Sequence, residues 1–199
     1  MYKLYGSPNS RLTRASWLLQ EIDQPYEIVK AKPHSPELKA VNPAGKGPVL
    51  EDGDVRVIDS AAICLYLGEK HADTGIGPQN MAERGEMLSW AFFVQCDLEA
   101  PLWLKMRHMF LLPEEMRMDQ GKTPKIDFAN AVQAFEKRLG DRQFAMGDRF
   151  TAIDTLLGHT GSWARSAKFS IESDVANAYF DRVLAREALA RAKAIENEM

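Results

Sequence analysis

The first seventy residues of the chain alternate between strand-like and helix-like hydrophobic patterns. Residues 3–5 predict a short strand, and apolar residues then recur at three- and four-residue steps from Ser10 to residue 22, which predicts a helix with one apolar face. Residues 26–29 show the alternating pattern of a strand, and we expect a second strand there. Strand, helix and strand in this order predict a βαβ unit with parallel strands and a right-handed crossover.

The next segment predicts a hairpin followed by a helix. Residues 42–48 are too rich in glycine and proline for either regular structure. Two alternating runs, 48–51 and 55–58, flank Asp52-Gly53, a pair suited to the positive φ angles of a tight two-residue turn. Asp59-Ser60 is then expected to cap a helix that runs to about His71.

Beyond a linker candidate at residues 72–78, the hydrophobic pattern is helical throughout. Residues 81–110 predict one long helix with a bend at Pro101, and a second apolar face repeats over 128–139. Thr151 and Asp154 occupy the positions of a capping box, with Asp where Glu or Gln is usual. Two more helices are expected at 172–184 and 186–196. We therefore predict domains at 1–72 and 81–199, joined by a linker at 73–80.

The composition of the chain disfavours several classes of function, among them nucleic-acid, membrane and metal binding. The chain has 199 residues, 45% of them hydrophobic, and a net charge of -3, which disfavours nucleic acid as a partner. It contains no apolar run of signal-peptide or membrane-spanning length, so we expect a soluble, cytoplasmic protein that does not bind membranes. Cys64 and Cys96 do not form a CxxC pair, and the four histidines are scattered, so no metal is expected.

Four segments resemble, in order and spacing, the marker segments of cytosolic glutathione transferases, and the resemblance covers nearly the whole chain. The chain is similar in particular to the serine-type, bacterial-like members. The resemblance implies an α/β thioredoxin-like N-terminal domain plus an all-α C-terminal domain, the glutathione transferase architecture. The segments are Gly6-Ser7-Pro8-Asn9-Ser10-Arg11, Asn42-Pro43-Ala44-Gly45-Lys46-Gly47-Pro48-Val49-Leu50, Asp59-Ser60-Ala61-Ala62-Ile63 and Phe144-Ala145-Met146-Gly147-Asp148-Arg149-Phe150-Thr151-Ala152-Ile153-Asp154.

Ser10 is the residue that we expect to activate the glutathione thiol. A thiol with a pKa of roughly 8.5 is mostly protonated at neutral pH, and a hydroxyl donor at a helix N-terminus stabilises the thiolate. Ser10 is predicted to open the first helix, where its O–H and the unpaired backbone N–H groups converge. A purely capping role for Asn9 or Ser10 is the alternative, and Ser7, Asn9 and Thr13 are near enough to be the donor instead.

The other predicted glutathione-binding residues follow from the resemblance, and Asn9 belongs to this set. Gly47-Pro48 matches the place where the family uses a cis-proline to turn the backbone toward glutathione, although the family usually has a β-branched residue before that proline. Asp59 and Ser60 suit the γ-glutamyl carboxylate, and Lys46 suits the glycyl carboxylate. The alternative for Asp59 and Ser60 is that they only cap a helix. The alternative for Lys46 is that it is a solvated loop lysine without a ligand.

The second substrate is expected between Ser10 and the helix around residue 100, against Trp103, Met106, Arg107 and Phe110, with Trp163 as a further candidate. The predicted activity is glutathione transfer to small hydrophobic electrophiles, as in detoxification. Glutathione-dependent peroxide or disulfide reduction and a non-catalytic binding module are the alternatives. The resemblance also implies a homodimer with the third and fourth helices at its interface.

Overall fold

A four-stranded mixed sheet forms the N-terminal part of the computed structural model, which describes residues 1–198. The strands lie in the order β2-β1-β3-β4; β1 is parallel to β2 and antiparallel to β3, which pairs antiparallel with β4. The parallel pair requires a crossover connection, and α1 supplies it. The strands are β1 (Tyr2–Gly6), β2 (Tyr26–Lys30), β3 (Val49–Asp52) and β4 (Val55–Ile58), and the helices of this part are α1 (Leu12–Glu21), α2 (Pro36–Val41) and α3 (Ser60–Lys70).

The hairpin between β3 and β4 turns one residue later than predicted. Asp52 pairs with Val55, so Gly53-Asp54 forms the two-residue turn in place of Asp52-Gly53. Gly53 has a φ of 58°, which is the positive angle that glycine adopts without a steric cost. Helix α2 was not predicted from the sequence, because it has only six residues and buries just Leu38 and Val41.

The rest of the described chain is helical. Helix α4 (Met81–Phe93) passes through a π-helical stretch, Val94–Glu99, into α5 (Ala100–Met106). Pro101 lacks a backbone N–H and so cannot continue the α-helical ladder, which explains the altered winding immediately before it. A second π-helical stretch, Arg107–Leu111, ends this segment. The remaining helices are α6 (Thr123–Leu139), α7 (Ala152–Ser166), α8 (Asp174–Leu184) and α9 (Glu187–Asn197).

Asp154 caps α7 as the Thr151/Asp154 pattern predicted. Its Oδ2 accepts from the Thr151 backbone N–H at 2.7 Å and from the Thr151 hydroxyl at 2.9 Å. Its Oδ1 accepts from the Ala145 N–H at 2.9 Å and from the Tyr179 hydroxyl at 2.6 Å. Burial outweighs these four donors and raises the pKa of Asp154. The shorter Asp therefore performs the role that Glu or Gln usually has at this position.

One continuous apolar core runs from Tyr2 on β1 to Ala192 on α9. Helix α1 lies at its centre, and all eight residues from 12 to 19 are buried, including the polar Thr13, Arg14 and Ser16. The predicted fold class, a thioredoxin-like sheet followed by an all-helical part, is confirmed. Between Met1 and Glu198, no helix is both long enough and apolar enough to cross a membrane.

Candidate functional site

Ser10 lies just before α1, not inside its first turn. The helix begins at Leu12, and the Ser10 hydroxyl oxygen accepts from the Leu12 backbone N–H at 3.2 Å. The hydroxyl itself donates to the Ser7 carbonyl at 2.7 Å. Ser10 is partly exposed, so a ligand can reach the hydroxyl. To donate to a sulfur anion, the O–H must rotate away from Ser7, because a hydroxyl has one proton.

The other three residues considered as donors are engaged elsewhere. Ser7 donates its hydroxyl proton to the Ala31 carbonyl at 3.2 Å. The Asn9 backbone N–H and the Thr13 hydroxyl both donate to Oε2 of Glu196 at 2.9 Å. Glu196 is a buried residue of α9, and its Oε1 accepts from the Ser16 hydroxyl at 2.6 Å. Helix α9 therefore holds the backbone of Asn9 and the hydroxyl of Thr13, while the Ser10 hydroxyl has its partner within the same turn.

Arg14 connects the sheet part of the chain to the helical part from inside the core. It is fully buried, and its guanidinium pairs with the carboxylate of Glu99 in the π-helical stretch after α4. It also donates to the Ser60 hydroxyl at 3.0 Å and to the Thr160 hydroxyl at 2.9 Å. A buried charge needs this many partners, because loss of hydration is otherwise not compensated.

Glu99 is shared between two arginines. Its Oε1 accepts from Nε of Arg11 at 2.6 Å, and its Oε2 pairs with Arg14. Burial acts to raise the pKa of the Glu99 carboxyl, but the attraction of Arg14 and Arg11 outweighs burial, so that this pKa lies below its usual value. Two guanidinium groups thus share one carboxylate, and one of the two belongs to Arg11, the residue that follows Ser10.

His159 on α7 supports the backbone of Ser10. Arg14 donates its Nε–H to Nδ1 of His159 at 3.2 Å, so Nδ1 is an acceptor and the ring proton lies on Nε2. That Nε2–H donates to the Ser10 carbonyl at 3.0 Å. Burial, together with the positive charges of Arg14 and Arg11, lowers the pKa of His159 well below its usual range. The ring is therefore neutral at physiological pH.

The neutral state of His159 predicts a stability change between pH 7.5 and pH 5.5. Below the reference pKa of 6.5 the unfolded chain protonates this ring and the folded chain does not, so stability is lost as pH falls. The expected contribution is at most about 1.4 kcal/mol per pH unit. Urea unfolding at several pH values should show a shallower pH dependence for His159→Gln than for the wild type. His34→Gln, at an exposed site, is the control, and superimposable wild-type and His159→Gln profiles would contradict the assignment.

The Gly47–Pro48 peptide bond is cis. A Cβ added at Gly47 would lie 3.3 Å from the Tyr5 carbonyl oxygen and 3.4 Å from the Gly6 Cα, so this loop lies directly against the end of β1. The absence of a side chain at Gly47 permits that close approach. Lys46 is exposed next to it, and its carbonyl accepts from the Asn42 side-chain amide at 2.6 Å.

Asp59 and Ser60 lie at the N-terminus of α3, as predicted. Asp59 has a φ of 78°, and its Oδ1 caps the helix by accepting from the Ala61 N–H at 2.8 Å and the Ala62 N–H at 3.4 Å. Ser60 is buried, and its oxygen accepts from Arg14. The exposed Asp59 carboxylate is accessible to a ligand at this helix end.

The four main residues predicted for the second substrate all lie on the helical segment formed by α5 and the second π-helical stretch. Trp103 contacts the entrance of α1, since the Arg11 guanidinium lies 4.8 Å from its ring centroid. Trp103 and Arg107 also line a cavity of about 650 Å³ between the α4–α5 segment and α6, and every residue of that lining falls between 93 and 134. Met106 is outside this lining, and Phe110 is 67% exposed.

Sequence reasoning missed the polar network beneath the site. The residues concerned are Arg11, Arg14, Glu99, His159 and Glu196. The sequence pattern predicted one apolar face for α1 and no partner for its polar residues, which α7 and α9 cover. One sequence signal was present: Gln95, Glu99 and Trp103 repeat at four-residue steps and form one face of the helical segment. Within residues 1–198, no group of three or more His, Cys, Asp or Glu side chains could hold a metal ion.

Comparison with known proteins identifies the family. Residues 1–77 match the family model described as glutathione S-transferase, N-terminal domain. A Schizosaccharomyces pombe protein named as a glutathione S-transferase is 32% identical over 160 residues, which are 75% of this chain and 71% of the relative.

Two solved structures share the fold over nearly the whole chain. A glutathione S-transferase from Xylella fastidiosa superposes with a TM-score of 0.87 at 22% identity and covers 99% of both chains. A family member from Pseudomonas fluorescens, solved with two glutathione molecules bound, has a TM-score of 0.78 at 22% identity and covers 96% of this chain and 92% of that one. From its sequence similarity and its fold, the chain belongs to the glutathione S-transferase family.

Proposed function

We propose that this protein is a serine-type glutathione transferase that attacks small apolar electrophiles. The observation that carries the proposal is the position of the Ser10 hydroxyl, which is partly exposed at the entrance of α1, whereas the Thr13 hydroxyl is buried against Glu196. The glutathione-bound relative from Pseudomonas fluorescens and the family membership support glutathione as the thiol substrate. The bacterial-like subgroup stays a prediction.

The residues around Ser10 fit the rest of glutathione. Its γ-glutamyl end carries an ammonium and a carboxylate, which suit the Asp59 carboxylate and the Ser60 hydroxyl at the N-terminus of α3. Its peptide backbone suits the loop before the cis Pro48, where its hydrogen bonds would resemble those of an added strand. Lys46, exposed beside this loop, suits the glycyl carboxylate.

The chemistry that we propose is nucleophilic substitution or addition at carbon. The thiolate sulfur supplies the electron pair of the new C–S bond. In a substitution, a leaving group such as chloride departs with the electron pair of the broken bond; in an addition, the carbanion that forms takes a proton from water. Ser10 donates a hydrogen bond to the sulfur, and the N–H groups of the first turn of α1 add their partial positive charge.

Affinity capture followed by two assays tests the proposal. We expect the protein to be retained on immobilised glutathione, to elute with free glutathione, and to conjugate 1-chloro-2,4-dinitrobenzene. Turnover of cumene hydroperoxide without aryl halide conjugation would favour the reductase alternative. Retention without any turnover would indicate a binding module, and failure to bind glutathione would overturn the proposal.

We also propose a homodimer formed through α3 and α4. Met81 and Phe92 support it: they are 75% and 65% exposed, and their spacing of eleven residues places them on one face of α4. Large exposed apolar side chains on one face are typical of an association surface. Sedimentation velocity tests the assembly. A cytoplasmic location and a role in detoxification stay predictions.

A further inference from the structure

The side chain of Arg11 is held on three sides. Its guanidinium carbon lies 4.8 Å from the ring centroid of Trp103 on α5 and 5.0 Å from that of Trp163 on α7. Its Nε donates to Oε1 of Glu99 at 2.6 Å. Stacking on two indoles and one ion pair fix the plane and the direction of the guanidinium, so little conformational entropy remains to be lost on binding.

The two terminal nitrogens of Arg11 are open to solvent. Neither Nη1 nor Nη2 has a hydrogen-bond partner among residues 1–198, and the arginine side chain is 26% exposed. In the same part of the chain, the only buried side-chain nitrogen or oxygen without a partner is Nε1 of Trp90, so the Arg11 nitrogens are not buried. An oriented guanidinium therefore presents free N–H donors to the exterior.

The open donors lie on the side of Ser10 that faces the helical part of the chain. Arg11 follows Ser10 directly, and its guanidinium extends to α5 and α7. The groups that we assign to the two charged ends of glutathione, at Lys46 and at Asp59–Ser60, belong instead to the sheet part. Arg11 is thus placed to contact a second molecule that approaches the sulfur from the helices.

We propose that Arg11 binds an anionic group of the second substrate, so that the preferred electrophiles are planar, unsaturated compounds that carry a carboxylate. The inference rests on the proposed function and specifies its substrate class. The paired N–H donors of a guanidinium match the two oxygens of a carboxylate. The indoles of Trp103 and Trp163 offer aromatic surface next to it for a planar skeleton. Arg11 and Arg14 share the single carboxylate of Glu99, which leaves this trio with one positive charge that a further carboxylate can balance.

A matched pair of aryl chlorides tests the inference. 4-Chloro-3,5-dinitrobenzoate carries a carboxylate, and 1-chloro-2,4-dinitrobenzene is neutral; each enzymatic kcat/KM is divided by the uncatalysed rate constant. We expect the wild type to prefer the benzoate by about tenfold, the value of one charged hydrogen-bonded contact. Arg11→Gln should abolish that preference by raising KM for the benzoate, and Arg11→Lys should retain part of the preference. Arg182→Gln, which removes the same charge from the exposed side of α8, should retain it fully.

Binding without glutathione separates this inference from the proposed function. Quenching of tryptophan fluorescence should show tighter binding of 3,5-dinitrobenzoate than of 1,3-dinitrobenzene, and Arg11→Gln should equalise the two. If neither chloride reacts but this preference is found, the transferase proposal is wrong and the anion site stands. If Arg11→Gln slows both chlorides equally, or raises KM for glutathione alone, Arg11 acts on glutathione and the inference is overturned.

Discussion

Ser10→Ala is expected to lower kcat/KM for glutathione conjugation by about 10²-fold, which is typical for the loss of one hydrogen-bond donor to a developing or bound anion. The hydroxyl is the partly exposed donor at the entrance of α1, and alanine removes it without disturbing the buried network below. The pKa of the bound glutathione thiol should rise, and each unit of that rise corresponds to about 1.4 kcal/mol of lost thiolate stabilisation. The pH–rate profile should therefore shift to higher pH.

Two measurements check this expectation. Thiolate absorbance of the glutathione complex gives the pKa directly, and initial rates give kcat/KM. Ser166→Ala, at an exposed serine at the end of α7, is the matched control and should leave both unchanged. Ser7→Ala and Thr13→Ala distinguish the alternatives: if either variant, and not Ser10→Ala, raised the thiol pKa, the assignment to Ser10 would be wrong.

Arg14→Leu is expected to lower the free energy of unfolding by about 3–5 kcal/mol, because it removes one partner of a buried ion pair and leaves the carboxylate of Glu99 poorly compensated. The buried hydroxyls of Ser60 and Thr160 lose their donor in the same variant. Urea unfolding followed by circular dichroism, at one protein concentration, measures the change.

Two further variants isolate the buried ion pair. Arg84→Leu removes the exposed ion pair with Glu69, which should cost at most about 1 kcal/mol. The double variant Arg14→Leu/Glu99→Leu should recover much of the stability lost in Arg14→Leu, because no unpaired charge is then buried. An Arg14→Leu variant no less stable than Arg84→Leu would show that the network does not hold the two parts together.

The elements that the sequence predicted well are those with a strong local signal. The strands of the βαβ unit, the hairpin and the capping box at Thr151 each depend on neighbours within a few residues. Helix α2 was missed because two buried side chains in six residues give no measurable period. The start of α1 was placed at Ser10, two residues too early. The Ser10 hydroxyl accepts from the Leu12 N–H, and serine makes this kind of hydrogen bond both in turns and at helix caps, so the residue type does not distinguish the two.

The polar network could not be predicted from one sequence. Arg14 and Glu99 are 85 residues apart, and Thr13 and Glu196 are 183 residues apart. No local pattern specifies which distant carboxylate meets which polar residue of α1. The sequence therefore predicted the turn before α1 and the cap of α3, whereas the side chains that hold Ser10 in place became visible only in three dimensions.

The continuous core around α1 restricts how this protein can be divided or recombined. Residues 1–77 match the family's N-terminal model, yet α1 within them is covered by α7 and α9. Excised alone, that fragment would expose apolar surface and the uncompensated guanidinium of Arg14 to water. A chimera that exchanges this segment with a relative's must therefore exchange the facing surfaces of the two later helices as well.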